Sequence, residues 1–154
     1  MLLTNHTLTG ILLGLSIDNP VLLAPTAVAS HLVLDMTPHF WFKKAPDHKG
    51  FHDPKFLVFG SVDFVLSAGI TVAACVARPD RALTIIIGAV GAALPDLTYI
   101  PIIIFGKARI EHWLPFYRPM IAFLAKIQWY EKPPGLITEV AWTSLMIWLL
   151  HFSW

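Results

Sequence analysis

The run S-H-L-V-L-D-M-T-P-H spaces His31, Asp35 and His39 at four-residue intervals. On a helix, residues four apart differ by about 40° in direction, so His31 and Asp35 point the same way and can share one ion. Pro38 disfavours helical geometry at Thr37, which places His39, a third candidate ligand, at the start of the following loop. Further ionisable groups stand inside apolar runs: His6, Asp63, Asp96 within Leu94-Pro95-Asp96, and Glu139. The Gly-containing loop D-H-K-G-F-H-D (47–53) adds His48 and His52, as ligands or as acid–base groups. Each feature alone has a plainer reading. His31 and Asp35 fit an ordinary ion pair, Glu139 fits a first-turn charge on a helix dipole, and His48 and His52 fit solvated loop residues. Together they pose the question of what neutralises several carboxylates at once, and a divalent metal does so most directly.

The elements that must position these groups follow from composition. The chain has 154 residues, of which 56% are hydrophobic and 14% charged, against roughly 45–50% and 25% in soluble domains. So little charge excludes a disordered chain, a coiled coil and a nucleic-acid binder. A net charge of +1 implies no polyanionic partner. A domain of this size cannot hide so much apolar surface from water, whereas lipid can cover it. The expected class is an all-α integral membrane protein forming a single polytopic domain over 1–154. The one cysteine, Cys75, lies in an apolar run and reads as a small hydrophobe. The first 20 residues lack a basic n-region and a small-residue cleavage site, so insertion is expected to use the mature helices.

Apolar runs over 56–77, 82–105 and 135–154 carry one acidic residue each and are long enough to span a bilayer. Residues 5–37 read as a short helical hairpin broken at Asp18-Asn19-Pro20, with Asn19 as N-cap and Pro20 at the first helical position. Asp80 in the tight turn 78–81 is a candidate cap for the next helix. Residues 107–132 mix basic, aromatic and apolar types and fit an interfacial segment lying on the membrane. If 56–77 and 82–105 both cross, nine basic residues (Lys43, Lys44, Lys49, Lys55, Lys107, Arg109, Arg118, Lys126, Lys132) face two, Arg78 and Arg81. The positive-inside rule then makes the nine-residue side and the N-terminus cytoplasmic, and the C-terminus external. The expected location is the inner (cytoplasmic) membrane, as a multi-pass protein.

Depth along each helix brings the unusual residues together. At ~1.5 Å per residue, His31, Asp35, Asp63, Asp96 and Glu139 all fall within roughly 15 Å of the cytoplasmic boundary, and His6 starts from that side. Ionisable groups in spans are expensive and mark function by default, so their convergence predicts one shared polar site. Proline in Leu94-Pro95-Asp96 removes a backbone donor, which is tolerated where the backbone faces protein or a wet cavity.

His6, the His31-x3-Asp35 helix, Leu94-Pro95-Asp96 and the His48/His52 loop together resemble the membrane-bound metal-dependent hydrolases, the LexA-binding, inner-membrane-associated (YdjM-like) group. More distantly, His31-x3-Asp35 resembles the metal helix of the zinc-dependent phospholipase C and nuclease superfamily. The resemblance implies a divalent metal, zinc in type, held by His6, His31, Asp35 and Asp96, with His48 and His52 matching the family's histidine loop. It also implies phosphoester hydrolysis. The expected substrate is a phospholipid headgroup at the cytoplasmic leaflet, and Asp63, read from its place inside a span and not from the resemblance, joins His48 and His52 as the candidate catalytic groups. Two other readings stay open. Asp63, Asp96 and a proline-broken span fit a cation or proton path, and the same ligands fit a non-catalytic scaffold with a structural metal.

Overall fold

The computed structural model describes residues 1–40, 54–105, 114, 117–131 and 133–153. They form α1 (Leu3–Ser16), α2 (Pro20–Asp35), α3 (Pro54–Ala77), a 3-10 turn (Pro79–Arg81), α4 (Ala82–Leu97), α5 (Ile100–Phe105), α6 (Tyr117–Ile127) and α7 (Pro134–Ser153). The described chain is all-helical, apart from one parallel bridge between His39 and Tyr130.

The hairpin at 5–37 forms as its sequence directs. Asn19 caps α2 by accepting the Val21 N–H at 2.9 Å, and Pro20 supplies the fixed φ of a first helical residue. The expected span at 82–105 is divided. Pro95 has no N–H to offer the preceding turn, and α4 ends two residues later at Leu97, before Thr98-Tyr99 leads into α5. Asp80 does not cap α4. Both its carboxylate oxygens are taken by Arg78, at 3.1 and 3.0 Å, and α4 begins without a side-chain cap.

α1 is the central helix and packs against α2, α3, α4 and α7. Leu8, Ile11 and Leu15 on α1 meet Ala74, Ile85, Ala89, Met146 and Leu150 in the main apolar cluster. The α1–α4 crossing is the most extensive contact, and glycine makes it. A Cβ built on Gly10 would lie 2.9 Å from Ala89 Cα and nearer still to the Gly88 carbonyl, so the two backbones touch directly. Small residues serve this purpose where helices associate by close packing.

The outside of the bundle is apolar. Val21, Val76 and Ile137 are exposed to 82%, 75% and 70%, while Asn5, His6, His31, Asp35, Asp63 and Glu139 are buried. Among the described residues, two helices are long and apolar enough to cross a membrane, Leu57–Ala77 and Pro134–Ser153. The two ends of the bundle differ. At one end Arg81 pairs with Asp18 and donates to Leu15 O at 2.6 Å, while Arg78 donates to Ser153 O at 3.1 Å. At the other end the remaining buried polar groups gather.

Candidate metal centre

α2 delivers His31 and Asp35 from its last turns, one helical turn apart, and α1 delivers His6 from its first. α4 brings Asp96 beside them just before it ends. His31 Nε2 lies 3.2 Å from Asp35 Oδ2 and 3.8 Å from Asp96 Oδ1, and His6 Nε2 lies 3.2 Å from Asp35 Oδ1. The two imidazoles stack, with centroids 3.8 Å apart and planes inclined by 19°. His6, His31 and Asp96 each offer one ligand atom, all within 4.8 Å of one another, so this cluster could hold a metal ion. The expected convergence of His6, His31, Asp35 and Asp96 is therefore present in the fold.

Hydrogen-bond directions sharpen the chemistry. His31 Nδ1 stands 2.7 Å from the Ala92 carbonyl, which only accepts, so that nitrogen carries the proton and Nε2 is the free ligand atom. A backbone acceptor behind the ligating histidine is the usual way metal sites fix the tautomer. Nε2 then faces two carboxylates, an arrangement that requires a cation, whether proton or metal, in their midst. His6 is more telling. It is fully buried, and neither ring nitrogen makes a hydrogen bond; its Nε2 is near enough to Asp35 but misaligned for one. Two imidazoles and a carboxylate are a donor set that could hold a metal ion. The Met1 α-amino nitrogen also reaches Asp35 Oδ1, at 2.6 Å.

Access is one-sided. His6, His31 and Asp35 are 0–1% exposed, whereas the Asp96 side chain is 28% exposed. Over the site, residues 128–131 lie against the chain leaving α2. Trp129 N donates to Asp35 O at 3.1 Å, His39 N to Trp129 O at 3.0 Å, and Glu131 N to His39 O at 3.1 Å. Gly135 backs this cover so closely that a Cβ there would run into the His39 and Phe40 backbone.

His39 belongs to the cover. Its Nδ1 bonds the Thr37 carbonyl at 2.8 Å, and its ring stands edge-on to Tyr130 at 4.9 Å. Burial, reinforced by the Met1 ammonium, pushes its imidazole down to about 4, so it is neutral at physiological pH. Asp63 and Glu139 approach the same end but take backbone and amide donors of α1. Asp63 accepts from Leu3 N at 2.7 Å and Thr4 N at 3.0 Å, and also binds the Thr4 hydroxyl. Glu139 accepts from Leu2 N at 3.1 Å and Asn5 Nδ2 at 2.6 Å. These two carboxylates thus satisfy the donors that open α1, whose first turn has no side-chain cap of its own. His48 and His52 lie outside the described residues.

Two residues that sequence reasoning passed over also enter the site. Gln128 Nε2 donates to Asp35 Oδ2 at 3.2 Å, and the Tyr130 hydroxyl donates to Gln128 Oε1. No protein family, curated protein or solved structure matches this chain.

Proposed function

We propose that the chain is a multi-pass membrane protein that holds a zinc-type ion at His6, His31, Asp35 and Asp96 and hydrolyses a phosphoester at the cytoplasmic leaflet. The observation that carries this reading is the orphaned, fully buried His6 stacked on His31, facing two carboxylates of which only Asp96 is partly exposed. Bound by three of these side chains, a zinc would keep its fourth position open for water, as hydrolytic sites do, whereas structural sites are closed by four protein ligands. An apolar exterior around a polar interior supports membrane insertion, because unpaired polar groups are not tolerated against lipid.

The reaction class rests on the resemblance of His6, His31-x3-Asp35 and Leu94-Pro95-Asp96 to the YdjM-like hydrolases. A bound zinc would supply a Lewis acid for the phosphoryl oxygen and an activated water. The chain's own residues do the rest. Asp35 stands between the two imidazoles, its oxygens held by the Met1 α-amino nitrogen and Gln128, and Asp96 is the partly exposed group of the cluster. In the sequence, Lys43, Lys44, Lys49 and Lys55 lie close together, and positive charge of this kind attracts anionic headgroups.

The test is phosphodiester and phosphomonoester hydrolysis in mixed micelles of detergent and short-chain phospholipid. Zinc-loaded protein is expected to turn over, and His31→Ala and Asp96→Asn to lose more than about 100-fold, since outer-shell losses alone cost about 10–100-fold. Zinc-loaded protein inert towards every phosphoester headgroup would leave a structural metal and end the hydrolase reading.

The orientation is open to a separate test. Ser153 lies at the Arg78 end, opposite the metal ligands. With the site end cytoplasmic, a C-terminal reporter that works only in the cytoplasm should be silent. Strong signal from it would invert the topology or add a crossing within 106–133.

A further inference from the structure

We infer that Gln128 and Tyr130 are positioning residues that fix the carboxylate of Asp35 for metal binding. The inference rests on the metal reading above and extends it to a segment that contributes no ligand. A primary amide has one accepting and one donating end, and its neighbours decide which way it points. Here the Tyr130 hydroxyl donates to Gln128 Oε1, so the amide NH2 must face the other way, and it donates to Asp35 Oδ2 at 3.2 Å. Burial and the Asp35 carboxylate push the Tyr130 phenol above its ordinary range, so it stays a donor. The chain of donors runs in one direction and ends on a carboxylate oxygen.

That oxygen is the one facing His31 Nε2, while its twin faces His6 Nε2. Rotation of the carboxyl group would break both approaches together. α2 does nothing to prevent such rotation, because its backbone fixes only the Asp35 Cα and Cβ. The amide of Gln128 holds one oxygen against it while the Met1 α-amino nitrogen holds the other, and the main chain keeps Gln128 in register. Trp129 N binds Asp35 O, and Trp129 O binds His39 N, on either side of the carboxylate. Tyr130 is anchored in turn against the His39 ring. Outer-shell partners of this type orient metal ligands, and losing one costs about 10–100-fold in affinity.

The experiment uses the full chain in detergent, with zinc affinity read by competition against a chromophoric chelator and the ligand field read from the visible spectrum of the cobalt(II) form. Gln128→Met keeps the length of the side chain and removes both ends of the amide. It should weaken zinc by about 10–100-fold and alter the cobalt spectrum. Its thermal midpoint in excess chelator should match wild type, whereas a merely structural role would lower that midpoint as well. Tyr130→Phe keeps the ring on His39 and frees the amide, so it should move affinity and spectrum in the same direction by less. Should Gln128→Met fail to fold, Tyr130→Phe decides alone. Wild-type affinity and spectrum in the variants overturn the positioning role and leave the metal site standing. Failure of the wild-type chain to bind zinc or cobalt overturns the metal reading itself, and this inference with it.

Discussion

Protein purified in detergent should carry near-stoichiometric zinc, and His31→Ala should lose it. His31 offers a single ligand atom, since Nδ1 is committed to the Ala92 carbonyl, and that atom faces both Asp35 and Asp96. Removing the ring takes away a direct ligand, so affinity should fall by more than about 100-fold, the upper end of outer-shell effects. It also leaves Asp35 and Asp96 close together with one cation fewer, so substitution cannot be silent. Asp96→Asn keeps shape but removes charge at the open side and should weaken zinc in the same direction. A free ion at 100 times its Kd adds about 2.7 kcal/mol to stability, so wild type should melt lower in chelator and His31→Ala should hardly respond. Elemental analysis and melting with and without chelator settle the matter. Unchanged metal content in both variants would remove the site.

The second large effect belongs to the α1–α4 crossing. Gly88→Val must place its Cβ against the Gly10 carbonyl and 3.1 Å from Gly14 N, both of them backbone. No side chain can swing away, so α1 and α4 must separate along their main contact. Overpacking of an ordinary core costs about 1–3 kcal/mol, and a clash between two backbones belongs at or above the top of that range. Gly60 and Gly69 are internal controls, with nothing within 4 Å of an added Cβ. Alanine there should be neutral or stabilise by up to about 1 kcal/mol, as helix propensity dictates. Denaturation of the detergent-solubilised variants checks both. Gly88→Val melting with the wild type would mean that α1 and α4 do not cross at these glycines.

The site was legible where depth along a helix could be counted. His31 and Asp35 share a face by spacing alone, and helical rise carries His6 and Asp96 to the same end of the bundle. Spacing does not encode which partner a carboxylate finds there. Asp63 and Glu139 reach the right level, yet they bind the opening N–H groups of α1. A clue lay in Met1–Leu3, where a helix begins with no Ser, Thr, Asp or Asn to cap it, so its donors must be met from elsewhere. Gln128 and Tyr130 sit in a connecting segment without periodicity, and only the pairing of His39 with 128–131 brings them to Asp35. The close approach of Gly10 and Gly14 to the backbone at 84–89 depends on which helices touch, which spacing within one helix does not encode. The expected span at 82–105 overran because an apolar run does not show where Pro95 ends a helix.

The capping of α1 by other helices bears on the order in which the protein can be assembled during synthesis. Leu3 and Thr4 wait for Asp63, about 60 residues downstream, and Leu2 waits for Glu139, 137 residues downstream. At roughly 5–20 residues per second, the ribosome takes about 7–27 s to make the second of these partners. The helix most surrounded in the finished fold is therefore closed at its end by a partner made long after it. Until α7 arrives, Leu2 and Asn5 lack the partners that Glu139 and Thr143 supply, and α1 has only α2, α3 and α4 to pack against.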